Sequence, residues 1–189
     1  MRIEKLKQNY DVAVNLVHFP LHPETPAEGM TLEALFAGRG DAASRKARQD
    51  QMKNLMKAEG LPYGERTHTY NSRLAQELGK WADTQAGGEA IHDALYKAYF
   101  VQGRNIGDFE TLVAIAREAG LSPEAARKML EERSFKTAID HDWEMSRQIG
   151  VTGVPTFVAA EQGVVGAQPY EVLEQLVVEA GGRKRGEKG

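Results

Sequence analysis

Strand-forming sequence in this chain is confined to its two ends, and a long stretch of helical period separates them. Residues 12–19, VAVNLVHF, combine β-branched and aromatic residues and stop at Pro20, as a mostly buried strand does. Val154 to Ala160 and Val164-Val165 are short β-rich runs joined by Glu161-Gln162-Gly163, the pattern of a hairpin with glycine in its turn. Between these ends, over residues 31–149, apolar residues recur at helical spacing. A single small sheet interrupted by a helical insertion accounts for this order.

The helical spans are read from stripes and punctuation. Ile3, Leu6 and Tyr10 make a stripe in the first dozen residues, with no N-cap in front of it. Residues 43–59 put Met52, Leu55 and Met56 on one face, and Gly60 stops the helix. Asn71 is placed to cap a helix carrying Leu74, Leu78 and Trp81. Residues 88–101 hold Ile91, Ala94, Leu95, Ala98 and Tyr99 and end before Gly103; Asp108 then caps a helix with Leu112, Ile115 and Ala116 inward. Ser122-Pro123-Glu124 combines an N-cap, a proline at the first helical position and an acid in the first turn. A further helix spans Ser134 to Gln148 with Ile139 and Trp143. Pro169 opens the last one, which presents Leu173, Leu176 and Val177.

Composition excludes several chemistries. The chain has no cysteine, so a disulfide framework, a Cys-ligated metal and a thiolate nucleophile are ruled out for these residues. Lys+Arg of 24 against Asp+Glu of 27 gives 24 − 27 = −3, which offers nothing to a nucleic acid. The one basic cluster, Arg183, Lys184, Arg185 and Lys188, sits in a Gly-rich end and reads as a flexible tail over 183–189. The first residues lack the apolar core of a signal peptide, and no run is long enough to span a membrane. A cytoplasmic location without a membrane partner is the expectation.

Few residues point to chemistry. His18 and His22 are separated by a strand end and a proline turn, and His68 and His92 stand alone in polar stretches. Asp140-His141-Asp142 resembles a metal motif on paper, but adjacent helical residues face different directions. No metal site and no catalytic residue is therefore assigned. Neither a nucleophile elbow nor a phosphate- or dinucleotide-binding glycine motif occurs. The one distinctive segment is Gly150-Val151-Thr152-Gly153-Val154-Pro155-Thr156-Phe157-Val158. A proline at the first position of a strand is tolerated, and an X-Pro bond is open to the cis form. In that form Val154 would turn its N–H and C=O outward to an extended peptide. The same residues would also serve simply to open a buried strand.

That segment, with a helix before it and a hairpin and helix after it, resembles the cis-proline segment of DsbA-like thioredoxin-fold proteins. Phe19-Pro20-Leu21-His22-Pro23-Glu24, Asn71-Ser72-Arg73-Leu74-Ala75, Ala98-Tyr99-Phe100 with Gly107-Asp108, and Gly166-Ala167-Gln168-Pro169 narrow the resemblance to the FrnE-like branch. It implies an α/β thioredoxin-like fold with a large all-helical insertion. Residues 1–30 and 146–182 would form the thioredoxin-like part and 31–145 the insertion. It also implies thiol–disulfide oxidoreductase chemistry in the family, with substrate held at Thr152, Gly153, Val154 and Pro155.

The chain departs from the family where the chemistry resides. The family's Cys-x-x-Cys and the strand before it have no counterpart here, so this chain is expected to be redox-inactive. That strand is the central one, lying between the segments matching 12–19 and 154–160. A gap with unpaired main-chain groups on both sides is therefore expected. It is filled by another segment, closed by direct pairing of its flanks, or occupied in a protein longer than this sequence; the last is the leading expectation. Two other readings stay open. Glutathione-dependent isomerases and transferases (the 2-hydroxychromene-2-carboxylate isomerase and kappa-class types) share the architecture and would pair glutathione with Val154. A non-catalytic module would hold an extended polypeptide there. Apart from glutathione no cofactor is expected, and a homodimer covering the open sheet is a further possibility.

Overall fold

The computed structural model describes residues 2–38 and 41–186, with the side chains of Ala42 and Arg45 left out. It divides into two compact units, residues 1–21 with 142–189 and residues 22–141.

In the unit 22–141 the helices form where capping chemistry and apolar spacing agree. They are α2 (Leu32–Leu35), α3 (Ala42–Ala58), α4 (Arg73–Ala82), α5 (Ala90–Tyr96), α6 (Phe109–Glu118), α7 (Pro123–Glu132) and the start of α8 (Lys136–Gln148). Asp108 accepts from the Thr111 N–H at 2.8 Å and Ser122 from the Ala125 N–H at 3.1 Å, satisfying first-turn donors of α6 and α7. Asn71 acts one residue earlier than expected. Its Oδ1 accepts from the Arg73 N–H while Ser72 holds the cap position, and its Nδ2 donates to the Thr25 carbonyl. The core of this unit gathers Leu78, Ile91, Leu112, Ile115 and Leu130, all at most 2% exposed. At about 1.5–3 kcal/mol for each such side chain, this cluster is the unit's main source of stability.

Three details differ from the sequence reading. Residues 30–31 and 68–69 pair as short antiparallel strands β1 and β2, Met30 opposite Thr69, inside the stretch read as wholly helical. The helix at 88–101 begins at Ala90 and passes at Lys97–Val101 into a π turn. Finally, α3 forms and ends before Gly60 (φ +69°), but Met52 and Leu55 are 46% and 55% exposed. Of the expected apolar face only Met56 is half-buried.

Glu77 of α4 is fully buried in this core. Arg73 Nε–H donates to it at 2.9 Å, and Arg133 donates from Nε–H and Nη2–H at 2.8 and 2.7 Å. Arg133 sits at the end of α7 with φ of +52°, a left-handed cap that turns its side chain back on α4.

In the unit 1–21 with 142–189, Ile3 and Leu6 of α1 (Arg2–Asn9), with Tyr10 just after it, lie against Leu173 and Val177 of α9 (Tyr170–Glu179). Val12, Phe157 and Val164 join at the edge of that cluster. Strands β3 (Thr156–Ala159) and β4 (Gln162–Val165) form the hairpin. Its turn is Ala160-Glu161, with Ala160 at φ +52°; Gly163 stands in β4 opposite Val158 rather than in the turn.

Residues 12–19 form no strand in this structure, which corrects the sequence reading. A strand exists only through a paired neighbour. β3 pairs with β4 alone, and no described segment pairs with 12–19. Neither direct pairing of the flanks nor another described segment closes the expected gap. Val14, Leu16 and Val17 are accordingly 42–50% exposed. Within the stretch expected as a tail, residues 183–185 make main-chain contacts. Tyr10 and Lys184 form an antiparallel bridge, Asp11 N–H donates to the Arg183 carbonyl, and Arg185 N–H donates to that of Asn9. Lys188 lies outside the described residues.

Candidate functional site

The segment feeding β3 is held from below and open above. Val151 N–H donates to the Ser146 carbonyl at 2.9 Å, which ties the segment to the end of α8. The Thr156 hydroxyl donates to the Gly153 carbonyl at 2.7 Å, and Gly166 N–H donates to the Pro155 carbonyl at 2.7 Å. The Val154–Pro155 peptide bond is cis. These contacts fix both sides of Val154 without using its own main chain. Among the described residues neither its N–H nor its C=O has a hydrogen-bond partner, and its side chain is 53% exposed. Thr152 and Pro155 are exposed and Gly153 half-buried, so the four residues expected to hold substrate form one continuous accessible stretch.

The stretch continues into an open edge. Val158 points outward at 51% exposure, and the side of β3 away from β4 carries no partner among the described residues. Such an edge presents a row of main-chain donors and acceptors ready for one more strand. The Gly166-Ala167-Gln168-Pro169 segment that follows β4 is anchored by Arg2, whose Nη1 donates to the carbonyls of Ala167 and Gln168 at 3.2 and 2.8 Å.

A second constellation was not readable from the sequence. Asp142, 3% exposed, accepts from the His18 main-chain N–H at 3.1 Å, and His18 Nδ1 lies 3.0 Å from the same oxygen. The Ser146 hydroxyl lies 2.7 Å from the Asp142 carbonyl and 3.2 Å from that of His18. Residues 18 and 142 are 124 positions apart, with no spacing to link them. The cluster fastens the segment 12–21, which is in no strand, to α8, the helix that also carries the Val151 anchor. Replacing Asp142 with asparagine is expected to destabilise this unit by about 1–3 kcal/mol, because one oxygen serving two donors is weakened. Urea denaturation followed by Trp143 fluorescence checks it; a shift below about 0.5 kcal/mol contradicts the fastening role.

The remaining candidates separate. Asp140 faces Arg73 and Lys136, at 2.6 and 2.8 Å, while Asp142 faces His18, as neighbouring helical positions require. His92 pairs with Asp83 and His68 with the Thr67 hydroxyl. No three potential ligands converge on a metal position among the described residues. Nor is any helix among them long and apolar enough to cross a membrane.

Comparison with known proteins places this geometry. The model of the DSBA-like thioredoxin domain matches residues 1–178. A probable DsbA oxidoreductase of Streptomyces coelicolor superposes with a TM-score of 0.77 at 31% identity, covering 89% of this chain and 74% of that one. A 2-hydroxychromene-2-carboxylate isomerase superposes with a TM-score of 0.65 at 20% identity, over 95% of this chain and 85% of its own, a likeness of fold alone. Among curated proteins, the uncharacterised YwbO of Bacillus subtilis is 29% identical over 114 residues, which is 58% of this chain and 55% of that protein. The ClpXP adapter protein SpxH of Shouchella clausii is 29% identical over 117 residues, 58% of this chain and 39% of its own. The matches thus span about half or less of these curated relatives' length.

Proposed function

Because the chain belongs to the DSBA-like thioredoxin domain family, we propose that it holds an extended polypeptide along residues 152–155 and does no thiol chemistry of its own. The observation that carries this reading is the main chain of Val154, whose N–H and C=O both stand without a partner among the described residues. A peptide laid beside Val154 supplies an acceptor and a donor in register, and Val158 offers exposed apolar surface four residues further along. Each hydrogen bond contributes about 0.5–1.5 kcal/mol net, so the pair at Val154 supplies about 1–3 kcal/mol and apolar contact along the edge supplies the rest of a weak affinity.

The redox half of the family's chemistry needs a thiolate, and these residues contain no cysteine. The chain is therefore a holder, and oxidation or reduction of the held polypeptide requires thiols from elsewhere. A glutathione-dependent reading would use the same main-chain groups of Val154 for a tripeptide.

The test uses the full chain and an unstructured apolar peptide, with copies N-methylated at successive positions. Main-chain pairing predicts that methylation at the position facing Val154 weakens binding about tenfold, while methylation one residue along has little effect. Uniform effects along the peptide, or no binding at all, contradict the proposal. Glutathione that displaces the peptide at similar concentrations moves the reading toward the tripeptide ligand.

A further inference from the structure

In the helical unit, the loop 61–67 is clamped onto the π turn Lys97–Val101. Gly64 N–H donates to the Phe100 carbonyl at 2.9 Å, and the Tyr96 hydroxyl donates to the Pro62 carbonyl at 2.9 Å. The backbone at Gly64 approaches so closely that a Cβ there would fall 2.3 Å from the Val101 carbonyl oxygen. The clamp carries Arg66, whose guanidinium carbon sits 4.5 Å over the Tyr99 ring and 5.1 Å over that of Phe100. Tyr99 is itself fixed, its hydroxyl 3.1 Å from Thr69 Oγ1. The plane of the guanidinium is thus set by its surroundings before any ligand arrives.

Its charge is not answered from within. Among the described residues no carboxylate pairs with Arg66, and its buried Nε has no hydrogen-bond partner. Elsewhere in the unit Arg73, Arg104, Arg127 and Arg133 each hold a carboxylate within 3 Å. Glu65, its neighbour in sequence, turns to Lys53 instead. Aromatic faces attract the charge but accept no hydrogen bond in the guanidinium plane. A buried guanidinium N–H is strongly unfavourable without an acceptor, and Arg66 as a whole is only partly buried, so solvent reaches the residue.

We propose that the outer edge of Arg66, formed by its two terminal amino groups, is a binding site for a carboxylate carried by a ligand. A carboxylate lays two oxygens against two parallel N–H groups in one plane, the match that a fixed guanidinium favours. Its single negative charge also suits one isolated cation, whereas a phosphate monoester brings roughly two. The group comes from a small organic acid or from the C-terminus of a peptide, and the two are separable.

The test follows the Arg66 Nε–Hε signal of the full chain by 1H–15N spectroscopy, assigned through bonds and checked by its loss in Arg66→Lys. Sodium acetate is titrated against sodium chloride at matched ionic strength, followed by a blocked alanine tripeptide as free acid and as amide. The expected result is a saturable displacement of that signal by a carboxylate probe that neither chloride nor the amide reproduces. Displacement by acetate assigns a small acid as sufficient; displacement by the tripeptide acid alone assigns a peptide C-terminus. A signal unmoved by both acids, or moved equally by chloride or the amide, overturns the proposal. Because the readout is on the unmodified chain, it stands whether or not the lysine variant folds.

Discussion

Replacing Glu77 with alanine is expected to destabilise the helical unit by about 3–5 kcal/mol, the range for breaking a buried ion pair from one side. The carboxylate is fully buried, and three N–H groups of two arginines converge on it. Its removal takes the carboxylate from Arg133 and leaves Arg73 with Asp140 and the Lys136 carbonyl alone. The loss falls toward the lower end of that range, because the Arg133 side chain is 41% exposed and rehydrates in part; that of Arg73 is 16% exposed and does so less. Against a domain stability of about 5–15 kcal/mol, such a change moves the denaturation midpoint far. Trp81, on the same helix and 7% exposed, reports it.

The acid dependence has a defined sign. Burial pushes the Glu77 carboxyl up, but hydrogen bonds and charge from Arg133 and Arg73 outweigh it and hold the group below its ordinary value of 4.5. A lowered carboxyl contributes stability that is complete above the unfolded-state value and is lost as pH falls through the folded one. Urea denaturation at pH 7 and at about pH 3 should show part of the acid loss in the natural chain and less of it in Glu77→Gln. Identical acid dependence in the two would contradict the assignment.

Leu173→Ala is expected to remove the ordered packing of the smaller unit. A buried leucine cut to alanine costs about 2–5 kcal/mol. Leu173 is 2% exposed in a cluster whose buried members among the described residues are Leu6, Tyr10, Leu173 and Val177. The helical unit spreads a comparable loss over fifteen buried residues. Here α1, α9 and the hairpin share this one cluster, so the loss reaches the elements on the β3 side of Val154. The outcome to look for is collapse of amide dispersion in residues 2–10 and 156–179, with the signals of α4 to α7 unchanged. A variant that keeps both sets of signals would show that this cluster does not hold the unit.

What could be read from the sequence divides along local and non-local physics. Ser122 and Asp108 were identifiable because capping joins residues three apart and needs nothing else. The α1 stripe held for the same reason, with Leu6 and Tyr10 buried as their spacing required. Residues 12–19 have strand composition but no strand, because strand formation is decided by a neighbour that composition does not supply. Gly163 looked like the turn of the hairpin, yet Ala160 takes the positive φ, a choice set by the register of β3 on β4. In the site, Gly150–Pro155 stood out through glycine and proline punctuation. The cluster of His18 with Asp142 and the uncompensated Arg66 exist only through contacts between distant segments, and no local pattern announces them.

The account rests most heavily on the main chain of Val154. Hydrogen exchange of the Val154 amide, followed by NMR in the free chain and with a saturating unstructured peptide, measures it directly. Fast exchange in the free chain and at least about tenfold slowing with peptide, alongside unchanged exchange at Leu78 and Ile115, is the predicted result. A Val154 amide already protected in the free chain, or one that exchanges equally fast with peptide bound, would contradict the account.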